Sequence, residues 1–153
     1  MSDLTFQFES VRAVIAEPNW PDLIREHFEE SAQHAGAVQI DPDYQRYIAC
    51  NDIGTFRCWT ARHEGRLVGY LGLWVETHPH FRRTLRACDD LYMLAPEFRR
   101  GFNGYNMFRS CFASLKASGV KMIMIHSQHS LDLSKLMERL GLTPAETLWS
   151  GML

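Results

Sequence analysis

Residues 67–76 (LVGYLGLWVE) form an almost continuous apolar run, and this run limits the possible folds more than any other feature. A strand is apolar on both faces only when both faces of its sheet are covered; a half-exposed strand alternates instead. Residues 55–62 precede the run and do alternate, and Gly65 marks a tight turn at 63–66 between the two segments. The sequence therefore predicts a hairpin at the centre of a covered sheet.

The rest of the chain predicts further strands and helices around this hairpin. Runs of β-branched and aromatic residues are typical of strands, and apolar residues at helical spacing are typical of amphipathic helices. Strands are expected at 4–16, 84–94, 120–126 (buried, because apolar on both faces) and 144–153, with a loop at 77–83. Helices are expected at 21–35, 41–49, 105–118 (ended by Gly119) and 131–140 (capped by Ser130). This order predicts an α/β domain over residues 1–153, with a mixed, mostly antiparallel sheet and about four flanking helices.

Composition excludes several classes of protein. The chain has 153 residues, 46% of them hydrophobic and 22% charged, and a net charge of -2, so neither nucleic acid nor an anionic membrane is expected as its partner. It shows no secretory signal and no transmembrane run. The four cysteines form no CxxC pair, so we expect no metal site, no disulfide framework, and a cytoplasmic location.

The turn at 96–104 and the helix that follows carry the clearest chemical signal. A glycine-bearing turn that opens a helix presents unpaired backbone N–H groups, and the helix dipole adds partial positive charge there. Such a turn can bind a pyrophosphate, and Arg99 and Arg100 can donate charge-assisted hydrogen bonds to its oxygens. Taken alone, an ordinary surface turn explains this pattern equally well.

In context, these residues resemble the GNAT superfamily of acyl-CoA N-acyltransferases. The strand Leu91–Met93 is followed by Pro96–Gly104 (PEFRRGFNG), which is similar to that family's Arg/Gln-x-x-Gly-x-Gly/Ala phosphate loop. Leu136–Leu142 is similar to its C-terminal helix, and the element order matches over residues 4–153. The variant Arg99–Tyr105 (RRGFNGY) more narrowly resembles acetyltransferase-like proteins of bacteriophages and prophages. Phe102 stands where the family has its middle glycine.

The resemblance implies acetyl-CoA as cosubstrate and a central sheet splayed between its two middle strands. An extra residue, Leu94 or Ala95, is interpreted as the bulge that separates them. Backbone N–H groups near Tyr92, Met93 and Leu94 would hold the acetyl carbonyl. The phosphate loop would consist of Arg99, Arg100, Gly101, Phe102, Asn103 and Gly104.

Direct transfer to an amine requires a base, for which Asp90 and Asp89 are the candidates because they adjoin the cofactor strand. Strand alternation would put them on opposite faces, and the one facing the cleft would act. Many family members use a tyrosine in the last helix as the acid for the departing thiolate. Met137 occupies that position here, so Tyr105 is the substitute candidate. Phe102 and Met137 also favour an alternative, a catalytically degraded domain that binds acyl-CoA or a partner protein.

Residues expected on the acceptor side are less specific. His78 and His80 flank Pro79 beside the predicted cleft and are candidates for substrate binding, although a surface loop explains them too. His126 and His129 are interpreted as capping or solvent-exposed residues. The acidic residues Glu26, Glu29 and Glu30 could attract a cationic acceptor, either a small molecule or a protein amine. The terminal Leu148 and Trp149 would suit a homodimer.

Overall fold

The computed structural model of the chain describes residues 4–31, 36–128 and 131–152. Five strands form one sheet in the order β1-β2-β3-β4-β5: β1 is Leu4–Glu9, β2 Phe56–His63, β3 Arg66–His78, β4 Phe81–Leu94 and β5 Met122–Met124. The helices are α1 Val11–Ile15, α2 Trp20–Ser31, α3 Tyr44–Asp52, α4 Asn103–Ala117 and α5 Ser134–Arg139, and a single 3-10 turn covers Pro96–Phe98. Within the described ranges, no helix combines the length and hydropathy needed to cross a membrane.

The sheet is mixed, as predicted. β1 to β4 pair with their sequence neighbours in antiparallel fashion, whereas β5 returns through α4 and lies parallel to β4. Short hairpin turns suffice for antiparallel neighbours, but a parallel neighbour needs a crossover, which α4 supplies. The central hairpin predicted from the apolar run is therefore the β2–β3 pair in the middle of the sheet.

Both faces of β3 are covered, which explains its lack of alternation. Leu67 and Tyr70 pack on one face with residues of α1, α2 and α3. Val68 and Leu71 pack on the other face with residues of α4 and α5. All four side chains are 3% exposed or less. The two cores thus place one set of helices on each side of the sheet.

Several sequence-based boundaries are wrong. The first strand ends at Glu9 rather than residue 16, because the Ser10 hydroxyl accepts a hydrogen bond from the Ala13 N–H and caps the short helix α1. The expected loop at 77–83 is only a two-residue turn, since β3 extends to His78 and β4 starts at Phe81. The segment 144–152 forms no strand and is exposed.

The second half of the chain also departs from expectation. β5 is shorter than residues 120–126, and Met122 is 37% exposed, so this edge strand is not buried as its two apolar faces indicated. The last helix covers Ser134–Arg139 instead of 131–140. The proposed cap Ser130 and the end of the helix expected at 21–35, residues 32–35, lie outside the described residues.

The bulge lies at Asp90, and not at Leu94 or Ala95. Gly72 pairs with Leu91 whereas Leu73 pairs with Asp89, which leaves Asp90 as the extra residue of β4. Leu94 is in regular register, and the Ala95 N–H donates to the Val68 carbonyl at 2.8 Å. A bulge re-aims the side chains next to it, so its position matters for the two neighbouring aspartates.

A shielded ion-pair network fastens β1 to β2 and to the segment before α2. Arg62 donates through Nε and Nη2 to the two carboxylate oxygens of Glu9, each at 2.7 Å, and through Nη2 to Glu17 at 2.6 Å. The Arg62 and Glu9 side chains are only 15% and 11% exposed. Hydrogen bonding to Arg62 lowers the pKa of Glu9 from 4.5 to about 2.

We expect Arg62→Met to destabilise the fold by about 3 kcal/mol, because it leaves two shielded carboxylates without their cation. Urea unfolding at pH 7 measures the change, with the exposed Arg66→Met as control. Because the folded pKa of Glu9 is depressed, its contribution is present above pH 4.5 and is lost as pH falls towards 2. In Arg62→Met, the free energy of unfolding should lose this pH-dependent contribution. If it fell between pH 4.5 and 2 as steeply as in the parent protein, the account would be contradicted.

Candidate active site

β4 and β5 separate immediately after a short paired stretch. They pair only between Arg86–Cys88 and Met122–Met124. At the next position, Oδ1 of Asp89 accepts the backbone N–H of His126 at 2.8 Å, so a side chain replaces a backbone acceptor. Among the described residues, no strand pairs with this edge of β4 beyond Cys88. An open cavity of about 2080 Å³ lies there.

Two backbone N–H groups of β4 face this cavity. In an antiparallel ladder, alternate residues direct their N–H and C=O groups to opposite edges of the strand. The Ala95 N–H bonds to Val68 on β3, so the N–H groups of Leu94 and Tyr92 point to the other edge. Tyr92 and Leu94 line the cavity. The edge can therefore donate to a carbonyl or an amide placed beside it.

The start of α4 adds a second group of donors at the same cavity. Gly101 has φ +62°, a conformation that favours glycine, and it turns the chain into the helix. The Asn106 N–H donates to the Phe102 carbonyl at 2.8 Å. The N–H groups of Gly104 and Tyr105 have no acceptor within the described part of the chain. With the helix dipole, this arrangement suits an anion.

The side chains of this loop lie as follows. Arg99 donates from Nε to the Leu94 carbonyl and from Nη2 to Glu30, both at 2.6 Å, so its guanidinium ties α2 to the end of β4. Arg100 is exposed and has no partner in the described ranges. Phe102 is 69% exposed, so its ring does not enter the core. Of the two arginines predicted to bind phosphate, Arg99 lines the cavity but is paired with Glu30, and Arg100 is unpaired in these ranges but is not a lining residue.

Gly104, in the first turn of α4, lies close to Tyr92 and Leu136. A Cβ there would lie 3.5 Å from the Tyr92 hydroxyl and 3.8 Å from Leu136. The Tyr92 ring packs 4.7 Å from that of Phe108, and burial raises the pKa of Tyr92 to about 12. The Met93 side chain is buried in the opposite core. Asn103 donates to the Phe98 carbonyl at 3.0 Å and thereby closes the loop.

Asp89 and Asp90 point to different walls of the cavity. Oδ1 of Asp89 also contacts Nδ1 of His126 at 2.8 Å, and the Asp89 side chain is only 8% exposed while that of His126 is 49% exposed. Burial raises the pKa of Asp89, although hydrogen bonds from His126 oppose the shift. The Asp89 carboxylate is therefore already engaged by His126, at the position where β5 stops pairing with β4.

Asp90, the bulge residue, is exposed and turns towards α3. Its Oδ2 accepts a hydrogen bond from the Tyr47 hydroxyl at 2.6 Å. The Tyr47 ring stacks on Trp74 at 5.9 Å and meets the edge of Phe56 at 4.9 Å. Burial, followed by the bond to Asp90, raises the pKa of Tyr47. Of the two aspartates, Asp90 is thus the one whose carboxylate is open to a molecule entering the cavity.

Tyr105 and Met137 lie apart from these aspartates. Tyr105 belongs to the first turn of α4, and its ring is 6.3 Å from that of Phe102. That position is the anion-binding end of the cavity, not the β4 bulge. Met137 is 8% exposed and packs in the core under α5. Neither residue supplies a proton donor beside Asp90.

His78 and His80 do not line the cavity. They sit at the β3–β4 turn, where the His80 N–H donates to Nδ1 of His78 at 3.2 Å. The loop expected there is the tip of a long hairpin, so the strands carry both rings away from the opening. Among the three glutamates expected on the acceptor side, Glu30 lines the cavity but is bound to Arg99, and Glu26 and Glu29 are not lining residues.

Sequence reasoning missed the roles of three groups that the structure places at the site. Tyr47 comes to Asp90 across 43 residues, and His126 comes to Asp89 across 37. A third, His27, bonds through Nδ1 to the Tyr70 hydroxyl at 2.6 Å, and burial lowers the pKa of His27 to about 4. The only sequence signal was the placement of Tyr47 and His27 on predicted helices of the acceptor side.

Gly101→Ala should destabilise the protein by about 1 kcal/mol without any steric clash. An added Cβ meets nothing within 4 Å, so the cost comes only from the positive φ. Gly36→Ala is the matched control, because that glycine is equally open and has no positive φ. Thermal unfolding of both variants measures the difference; equal stability of the two would contradict the assigned turn.

No protein-family model and no curated protein matches the chain. Solved structures do match along almost its whole length. An aminoglycoside acetyltransferase from an uncultured soil metagenomic sample, in complex with trehalose, is 16% identical with a TM-score of 0.69, covering 98% of this chain and 94% of that one. A predicted acetyltransferase with acetyl-CoA from Clostridium acetobutylicum is 10% identical with a TM-score of 0.74, covering 98% and 96%.

A GCN5-related N-acetyltransferase from Ralstonia eutropha is 18% identical with a TM-score of 0.72, covering 98% of this chain and 99% of that one. Identities this low carry no residue roles across, but the shared architecture extends over the whole chain. The fold class predicted from the sequence is confirmed. The chain has the fold of the GCN5-related N-acetyltransferases, or GNAT fold.

Proposed function

We propose that this protein is an N-acetyltransferase that moves the acetyl group of acetyl-CoA directly onto a primary amine. The observation that carries the proposal is one cavity that joins the unpaired edge of β4 to the unengaged N–H groups at the start of α4. Acetyl-CoA has an extended arm with amide groups, which can bind the β4 edge, and a pyrophosphate, which can bind the start of α4. The GNAT fold supports the same interpretation.

The N–H groups of Gly101, Gly104 and Tyr105 would hold the pyrophosphate. Their backbone donors belong to one helix N-terminus, and the exposed Arg100, next to Gly101 in the chain, would add positive charge nearby. Phe102 lines the cavity with its side chain largely exposed, so its ring is not fixed in the core. The donor set therefore fits the phosphate end of acetyl-CoA without any rearrangement of the core.

Acetyl-CoA supplies the acetyl group as a thioester, a carbonyl that an amine can attack. The N–H groups of Tyr92 and Leu94 would stabilise negative charge on the carbonyl oxygen. Asp90 would hold the incoming ammonium and take its proton, directly or through a water. As the amine nitrogen bonds to the carbonyl carbon, the carbon–sulfur bond breaks and the sulfur leaves as thiolate. The second proton that the nitrogen loses passes through solvent to that thiolate.

The acceptor is proposed to be a cationic amine, either a small molecule or a protein amine. Asp90 and Asp41 line the cavity, and the Tyr47 ring, which also lines it, stands beside Asp90. Aromatic faces and carboxylates together favour cations. The similarity to an aminoglycoside acetyltransferase makes polyamino sugars a suitable first set of test acceptors.

A second candidate function is a degraded domain that binds acyl-CoA, or a partner protein, without turnover. Met137, buried where many GNAT proteins have a tyrosine, favours this candidate because it cannot protonate a thiolate. Tyr105 does not replace that tyrosine, since it stands at the phosphate end. Thermal shift with acetyl-CoA tests binding in both candidates, and thiol release with a panel of amines separates the enzyme from the binder.

Three further proposals concern origin, location and oligomeric state. The loop variant Arg99–Tyr105 supports a bacteriophage or prophage origin, and the four unpaired cysteines support a cytoplasmic location. A homodimer is proposed because Leu148 and Trp149 are 77% and 89% exposed on the terminal segment. Sedimentation at micromolar concentration tests the dimer.

Asp90→Asn should lower kcat about 10²-fold, because the amide cannot accept the ammonium proton. The KM for acetyl-CoA should stay unchanged, since the phosphate loop is untouched. Thiol release under saturating acetyl-CoA and amine gives the measurement. Asp22→Asn, on the outer surface of α2, is the control and should retain full activity. Equal rates for the two variants would reject Asp90 as the base.

Arg100→Ala should raise the KM for acetyl-CoA roughly five-fold, which corresponds to ~1 kcal/mol for an exposed ion pair. The effect should shrink with added salt, because exposed charges are screened. Arg109→Ala, also exposed but beyond the first turn of α4, is the control. If Arg109→Ala raised KM as much as Arg100→Ala, the phosphate site would have been misplaced.

A further inference from the structure

Three metal-ligating side chains meet where β4 and β5 separate. A sulfur of Cys88, a carboxylate oxygen of Asp89 and an imidazole nitrogen of His126 all lie within 4.8 Å of one another. Cys88 and Asp89 are the last paired residue and the first unpaired residue of β4, and His126 follows β5. Sequence analysis did not predict this group, because His126 is 37 residues from Asp89 and the three residues form no short motif.

The chemistry of these donors selects the metal. Zn²⁺ and similar divalent transition ions accept sulfur, nitrogen and oxygen together, whereas Mg²⁺ and Ca²⁺ require oxygen ligands. One thiolate and one carboxylate together carry two negative charges, which would balance the charge of a divalent ion. The neutral imidazole would complete three protein ligands, which leaves a fourth position of a tetrahedral ion open to the cavity.

The cluster needs only small movements to enclose an ion. Asp89 and His126 are joined by a 2.8 Å hydrogen bond, and the same two atoms around zinc would be roughly 3.4 Å apart. The ion would replace the shared proton. His126 belongs to an irregular segment and is 49% exposed, so it can shift, while the strand fixes Cys88 and Asp89. The Cys88 thiol, now directed at the Asp89 carbonyl at 3.7 Å, would lose its proton to solvent.

We propose that Cys88, Asp89 and His126 bind a zinc-class divalent metal ion, and that the bound ion inhibits acetyl transfer. The second part rests on the proposed function: the ion would sit where β4 and β5 separate, on the side from which an amine must approach the unpaired edge of β4. A cation there would repel an ammonium and narrow the opening. The site would thus act as a metal-dependent brake.

Cobalt(II) tests the site without reference to activity. Untagged full-length protein, stripped with a chelator and kept reduced, is titrated with Co²⁺ and followed by absorption. We expect a thiolate-to-cobalt charge-transfer band and visible bands typical of four-coordinate cobalt, saturating at one equivalent. Added Zn²⁺ should abolish both. Absence of these bands would overturn the proposed site.

Matched variants assign the ligands. Cys88→Ser should remove the charge-transfer band, and His126→Ala should weaken cobalt binding at least ten-fold. Cys50→Ser is the control, because Cys50 is also a free, partly buried thiol but lies outside the cluster. Circular dichroism confirms that each variant is folded; His126, being half-exposed, gives a second test if Cys88→Ser unfolds. A charge-transfer band that survives Cys88→Ser, or is lost in Cys50→Ser, would contradict the assignment.

Inhibition is measured separately, as thiol release with and without one equivalent of Zn²⁺. The parent protein and Cys50→Ser should lose at least nine-tenths of their rate, and Cys88→Ser should lose little. Cobalt bands with an undiminished rate would keep the site and overturn the brake. A protein that forms the cobalt bands but transfers no acetyl group would disprove the proposed function, and with it the brake, while the metal site would stand.

Discussion

The separation of β4 from β5 at Asp89 is the constraint on which the site depends. Two parallel strands that began to pair would ordinarily continue, satisfying each other's backbone groups. Here the Asp89 carboxylate accepts the His126 N–H, and pairing stops. The backbone donors of Tyr92 and Leu94 are consequently left facing a cavity instead of a neighbouring strand. A ligand with its own carbonyl and amide groups can satisfy them.

The remaining elements hold this opening in place from two sides. The double-sided core around β3 fixes the sheet, so β4 cannot relax towards β5. Arg99 links the end of β4 to Glu30 on α2, and Tyr47 links Asp90 to α3. Helices α2 and α3 therefore form the wall along which an acceptor would enter the cavity. The start of α4, on the other face, forms the phosphate end.

The sequence predicted the parts of the fold that depend on local pattern. The apolar run of β3 and the helical spacing in α4 identified both elements, and the GNAT-like loop pointed to the turn between β4 and α4. The sequence-based prediction failed where contacts between distant residues determine the structure. The bulge at Asp90 depends on how β3 and β4 are paired. The alternation of residues within one strand does not determine that pairing. The histidines at the β3–β4 turn were misplaced because the length of the hairpin was underestimated.

In the candidate site, too, residue types could be predicted from the sequence, whereas contacts between distant residues could not. Asp89 and Asp90 were identified as candidates, but which of them is open to the cavity follows only from their partners His126 and Tyr47. Both partners are distant in the sequence. Tyr105 was chosen by residue type, and only the structure places it in the first turn of α4. Residue types indicated which side chains could act as acids, bases or ligands. Their distances and partners followed only from the folded structure.

Backbone amide chemical shifts on addition of acetyl-CoA test the central claim most directly. If the unpaired edge of β4 and the start of α4 bind the cosubstrate, the amide signals of Tyr92, Leu94, Gly101 and Gly104 should move together and saturate at one equivalent. Signals at the β3–β4 turn, including His80, should stay in place. Unchanged signals at all four residues with millimolar acetyl-CoA would contradict the account.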